Sequence, residues 1–154
     1  MVVSSYDNPR PARMITLYGV ESDFDHVKFP KKTYGIGKSK CTYVQSNNTL
    51  VLTDRHAHTV YMYDTVKGTS EAVIDGNIQK PRGACVGPGD SVMVCSNKKN
   101  SIVHMTVNGE ILGTYPVDIK NPNSLSMNKD GTKLAVSNSG SGMNKLQLYK
   151  ISPT

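Results

Sequence analysis

The chain has 154 residues, a hydrophobic content of 37% with no Trp and two Phe, and 18 Lys and Arg against 12 Asp and Glu, for a formal net charge of +6. That length can bury one sizeable core, but no window carries the apolar period of an amphipathic helix and no apolar run is long enough to span a membrane. The core must therefore rest on Val, Ile, Leu, Met and Tyr in strands, and the basic balance suits an acidic partner.

In chain order, residues 1–13 read as a flexible leader rich in Pro and polar residues, without the basic flank and apolar run of a secretory signal. Met14 to Gly19 reads as a strand, Glu21 to Asp25 as an acidic link, and Val27 to Tyr34 as a second strand. These two occupy the third and fourth strand positions of a partial unit, 14–35. The unit 36–77 holds strands near Thr42–Gln45, Leu50–Thr53, Thr59–Asp64 and Glu71–Asp75. The unit 78–118 holds Gly83–Val86, Ser91–Cys95, Ser101–Val107 and Ile111–Tyr115, with Asn108-Gly109 as a hairpin signal. The last unit, 119–151, holds Ser124–Met127, Lys133–Ser137 and Lys145–Ile151, and is incomplete.

These units repeat. Asp54, Ser96 and Asn138 follow one another at 42-residue spacing, and Ile36, Ile78 and Ile119 at 42 and 41. A period of about 40–45 residues holding four short strands is the mark of a β-propeller blade. The expected fold is thus all-β, with about three and a half blades. The chain is either part of a longer ring or half of a dimeric six-bladed ring, in which two copies join and one N-terminus completes the last blade of the other.

Strand parity turns this order into a face. If the first strand of each blade runs down, the fourth-to-first and second-to-third connections share one face. They carry Lys38, Lys40, Arg55, His56, His58, Lys80, Arg82, Lys98, Lys99, Lys120 and Lys145. The other connections carry Glu21, Asp23, Asp25, Asp64, Asp90, Glu110 and Asp130, opposed by Lys67 and Lys129. One face should be basic and the other acidic, and the basic one is the candidate binding surface.

The run Pro81-Arg82-Gly83-Ala84, followed by Val92-Met93-Val94-Cys95-Ser96, Lys99-Asn100-Ser101-Ile102-Val103 and Asn108-Gly109, resembles an NHL repeat. More narrowly, residues 14–151 resemble the C-terminal propeller of tripartite-motif (TRIM) NHL proteins. Asp54 matches the acidic position after the second strand, whereas Ser96 and Asn138 replace it later. The unit from Asn128 to Gly140 is also similar to the YVTN type of propeller repeat. The resemblance implies a non-enzymatic scaffold that binds protein through its basic face. RNA binding by the same face is the alternative, with Lys and Arg on phosphates, although the basic loops lack the aromatic platforms of single-strand recognition. A lyase-like or lactonase-like propeller enzyme is a third reading.

Other patterns carry less. His56-Ala57-His58 offers two imidazoles with no further ligand at finger spacing, and Asn128-Lys129-Asp130-Gly131 reads as a hairpin turn, since the downstream ligands of a calcium loop are missing. Gly35-Ile36-Gly37-Lys38-Ser39 lacks the first glycine and the helix of a phosphate loop. Cys85 and Cys95 flank a hairpin without lying opposite, and Cys41, Cys85 and Cys95 fit reduced thiols in a cytoplasmic protein. No nucleophile, acid–base pair, metal set or cofactor motif is legible, so neither catalytic residues nor a cofactor are expected, and a membrane partner is not expected either.

Overall fold

The computed structural model describes residues 2–4, 12–30, 39–138 and 144–152. Lys38, Ile36 and the rest of the Gly35–Lys38 run lie outside the described residues. The first sheet holds β1 (Val2–Ser4), β2 (Ala12–Ile15) and β3 (Glu21–Asp23). The second holds β4 (Ser39–Val44), β5 (Thr49–Asp54), β6 (Thr59–Asp64) and β7 (Thr69–Val73). The third holds β8 (Pro81–Val86), β9 (Val92–Ser96), β10 (Ser101–Met105) and β11 (Ile111–Pro116). The fourth holds β12 (Ser124–Met127), β13 (Lys133–Ser137) and β14 (Leu146–Lys150). In every sheet the strands follow chain order and each pairs antiparallel with the next. Among the described residues the fold is all-β, with short 3-10 turns and no α-helix.

Burial explains why the middle of the inner strands is apolar on both faces. Successive side chains on a strand point to opposite faces, and here each face of a sheet meets a different neighbour. Leu50, Leu52, Tyr61 and Tyr63 turn one way, onto Phe24 and Val27. Their alternates Val51, Val60 and Met62 turn the other way, onto Val92, Val94, Val103 and Met105. Met93, Cys95 and Ile102, from the far face of the third sheet, close on Leu134 and Val136. Ile78 and Ile119, two of the repeat anchors, are buried in the connections from the second sheet to the third and from the third to the fourth. Phe24 meets Tyr63 edge-on at 5.3 Å and Phe29 meets Tyr61 at 5.1 Å, the geometry that aromatic quadrupoles favour.

The first strands of neighbouring sheets approach closely enough to bond. Gly83 N–H donates to Asn123 O at 2.9 Å, and a Cβ on Gly83 would meet that oxygen at 2.8 Å and Ser124 Cα at 3.0 Å. Both contacts are backbone, so neither can swing aside. Gly83→Ala is therefore expected to cost about 1–3 kcal/mol through overpacking, read as a lowered urea midpoint with an unchanged slope.

Four sequence expectations need correction. The leader read over 1–13 contains β1, which pairs with β2 in the register Val2↔Met14 to Ser4↔Ala12. The acidic link is itself a strand, β3, because Arg13 opposite donates to Asp23 Oδ1 at 3.0 Å and Glu21 Oε2 at 3.4 Å. Residues 27–30, read as strand, have no strand structure. The fourth correction is smaller: β10 ends at Met105, not Val107, because Thr106 to Gly109 forms the turn. Gly109 N–H donates to Thr106 O at 3.0 Å with Gly109 at φ 84°, a left-handed residue that glycine adopts without strain.

On β10, His104 is half-buried. Ser91 Oγ donates its proton to Pro88 O at 2.6 Å, so it accepts from His104 Nε2–H at 2.7 Å. Burial holds the imidazole below the ordinary histidine range. A histidine kept neutral in the folded chain binds protons more readily when unfolded, so its contribution is whole above the unfolded value near 6.5 and is lost as pH falls below it. The wild type should lose more melting temperature between pH 7 and pH 5 than His104→Gln; equal losses would contradict this.

Candidate anion-binding face

The basic face begins in the connections. The β5–β6 turn contains Arg55, His56 and His58, and the β9–β10 turn contains Asn97, Lys98 and Lys99. The β7–β8 and β11–β12 connections contain Lys80 and Asn121, both in the left-handed region with φ 51° and 53°. Arg55, Lys80, Arg82, Asn97, Lys98, Asn121 and Asn123 line one depression of about 310 Å³. Both types of connection thus meet on one face. The opposite face carries a separate hollow lined by Asp64, Lys67, Glu71, Val107 and Asn108, among others, as strand parity requires.

The two histidines differ. His56 is exposed, and its backbone N–H and that of Ala57 donate to Asp54 Oδ1 at 3.1 Å. His58 is a joint between sheets: its Nδ1 accepts Lys80 N–H at 2.9 Å. One module later, Asn100 Oδ1 accepts Asn121 N–H at 2.8 Å. Both acceptor residues have positive φ, 53° and 51°, a conformation asparagine tolerates well. His58→Asn should hence keep the joint and change stability by less than about 0.5 kcal/mol, whereas His58→Ala should cost about 1–3 kcal/mol by leaving the Lys80 amide unpaired. Denaturant titration of both variants checks the pair; equal costs would show that the bond is immaterial.

At the repeat position of Asp54, Ser96 and Asn138 tie their sheets to the connections before them. Ser96 Oγ donates to Asn77 O at 2.6 Å and accepts from Gln79 N–H at 3.0 Å. Asn138 Nδ2 donates to Lys120 O at 2.8 Å. These bonds fix the connections that carry Lys80 and Lys120.

Lys40, Arg82 and Ser124 occupy the same place on the first strands of three successive sheets, 42 residues apart. Lys40 Nζ reaches past Arg82 to donate to Ser124 Oγ at 2.8 Å, with Asn123 O at 3.4 Å. It is a strut across the face as much as a free cation. Burial lowers its pKa, and the positive charge of Arg82 adds to the effect. Arg82 is lowered by burial and then by Arg55. Three cations therefore repel one another where water screens them least.

Lys98, Lys99, Lys120 and Lys145 are exposed. Of the sequence-derived set, the structure gathers Arg55, Lys80, Arg82 and Lys98 at the depression and places Lys40 beside it. Lys99, Lys120, Lys145 and His56 do not line it. Sequence reasoning missed Asn97, Asn121, Asn123 and Ser124, because it searched for charge; the 42-residue register, which sets Asn97 against Arg55 and Asn123 against Pro81, is the signal that finds them.

Chemically, the face offers cations and amides. Among the described residues no three His, Cys, Asp or Glu lie together as a metal set. Asp130 Oδ1 is taken up by its own turn, accepting from Thr132 N–H at 3.0 Å and from Thr132 Oγ1–H. Of the three cysteines, Cys95 is buried, Cys85 half-buried and Cys41 exposed. Burial pushes Cys85 up to about 12 and Cys95 higher still, so both stay protonated and act as small apolar core groups. No helix among the described residues is long and apolar enough to cross a membrane.

The arrangement can be compared with solved structures. The chain superposes on a streptogramin B lyase with a TM-score of 0.64 at 16% identity, covering 97% of this chain and 53% of that one. It superposes on a virginiamycin B lyase from Staphylococcus aureus with a TM-score of 0.65 at 14% identity, covering 95% and 50%. The fold is a β-propeller. Hydrazine synthase from Kuenenia stuttgartiensis also matches, with a TM-score of 0.61 at 18% identity over 71% of this chain and 31% of that one. At these identities the likeness is one of fold, and the chain spans about half the length of the lyases or less than that of the synthase. No family model matches the sequence, and no curated protein does.

Proposed function

We propose that this propeller chain is a non-enzymatic binding platform, similar to TRIM-NHL propellers, which takes an acidic protein segment on its basic face. The observation that carries this is the convergence of Arg55, Lys80, Arg82 and Lys98 on one depression with no carboxylate in its lining. Such a surface raises the local concentration of an anionic partner and steers its approach. The nearest acid along the chain, Asp54, is buried and holds the amides of its own turn.

RNA remains the second reading, supported by the charge alone. No aromatic side chain lines the depression, so stacking, which supplies about 1–3 kcal/mol per base in single-strand binding, has no platform there. A lyase-like reading rests on the fold of the neighbours and on no residue of this face.

The test is fluorescence anisotropy with a labelled Asp- and Glu-rich peptide across a salt series. Affinity is expected to fall steadily from about 50 to 200 mM salt as exposed charges are screened. Binding that ignores salt, or no binding at low salt, would overturn the proposal.

A further inference from the structure

The depression is more specific than a charged surface. Its cations come from three separate connections and the start of β8, and they line one open depression of about 310 Å³ instead of following a stripe. Lys80 is placed by its backbone bond to His58, Arg82 by the bond from Thr53 Oγ1 to its carbonyl at 2.6 Å, and Lys98 by its N–H bond to Gln79 O at 3.1 Å. Asn97, whose Nδ2 donates to Pro122 O at 3.1 Å, ties the same corner to the next sheet. Among the described residues no ion pair involves Lys80 or Lys98. Arg55 Nε is buried with no hydrogen-bond partner. Four cations with anchored backbones around one volume suit an anion with its charge concentrated on one group.

We propose that the depression holds a single phosphate monoester carried by the protein partner, a phosphoserine or phosphothreonine side chain. This rests on the reading of the face as a platform for an acidic protein segment and names its chemistry. A monoester carries a charge of about −1.5 to −2 at pH 7 and three strong acceptor oxygens. A carboxylate brings one charge, and a nucleic-acid diester spreads its charge along a backbone. The planar forks of Arg55 and Arg82 suit two-point contact with phosphate oxygens, and Lys80 and Lys98 supply point charges. The volume exceeds that of one phosphate, leaving room for bridging waters or flanking peptide. With no aromatic in the lining, a base has nothing to stack on, which favours a phosphopeptide over RNA.

The test is calorimetric titration of the full chain with a peptide carrying one phosphoserine among neutral residues, the same peptide unphosphorylated, the Asp- and Glu-rich peptide, inorganic phosphate as competitor, and a single-stranded oligoribonucleotide. The phosphopeptide is expected to bind at least about tenfold more tightly than its unphosphorylated form. Inorganic phosphate should displace it, and Arg55→Gln or Lys98→Gln should each weaken it about tenfold while Lys129→Gln, on the other face, leaves it unchanged. Equal affinity for the phosphorylated and unphosphorylated forms, with the acidic peptide still binding, would overturn the phosphate site and leave the platform standing. An oligoribonucleotide that outcompetes every peptide would overturn it in favour of nucleic acid. Failure of all the peptides to bind would overturn both readings.

Discussion

Ile78→Ala should lower the stability of this chain by about 2–5 kcal/mol, the range for a fully buried aliphatic side chain cut back to a methyl. Ile78 has no exposed surface and sits in the connection between the second and third sheets, packed in the cluster that includes Val60, Met62, Val94 and Val103. Those residues are fixed by ladders on both sides, so the site can collapse little and the cavity persists. The backbone around it is also committed, since Ile78 N–H donates to Asp75 O at 3.0 Å. Ile119 holds the equivalent place between the third and fourth sheets, and Ile119→Ala should cost a similar amount. Urea titration reads both. A loss below about 1 kcal/mol for Ile78→Ala would mean that the sheets are not held together through their connections.

Reversing two charges of the depression should have the largest effect on binding. The double variant Arg55→Glu with Lys98→Glu removes two cations and introduces two anions where Lys80 and Arg82 remain. Affinity for the acidic peptide is expected to fall about 100-fold, or about 2.8 kcal/mol at 1.4 kcal/mol per decade. The loss should exceed that expected of rim charges, because Arg55 is half-buried and screened less by water than an exposed charge. The melting temperature should stay near that of the wild type, since neither side chain packs in a core cluster.

The sequence made the blades legible where local physics agrees with the fold. β6, β12 and β13 fall where alternating or doubly apolar runs place them, because burial on one face or on both leaves its period in the residues themselves. β1 and β3 were hidden for a different reason. Val2–Ser4 gains a strand only by pairing with Ala12–Met14, and Glu21–Asp23 is fully exposed, so neither shows an apolar period. Arg13 supplies what the acidic strand lacks, and a cross-strand ion pair is invisible to a windowed reading.

The basic face was legible in part, and for an equally physical reason. Charge and strand parity together assign a lysine to a face, but not to a role on it. Lys40 is spent partly on Ser124, His58 on the Lys80 amide, and Lys99, Lys120 and Lys145 stand apart from the depression. Bonds of this kind join residues 22 to 84 positions apart, and only the three-dimensional register brings them together.

The most direct measurement sets the double reversal Arg55→Glu with Lys98→Glu against Lys67→Glu with Lys129→Glu, which changes the net charge equally on the other face. Anisotropy with the acidic peptide at about 100 mM salt should show binding collapse for the first pair and persist near the wild-type level for the second. Equal losses in both would mean that the peptide senses only the overall charge of the chain, and that the sorting of cations onto one face has no part in recognition.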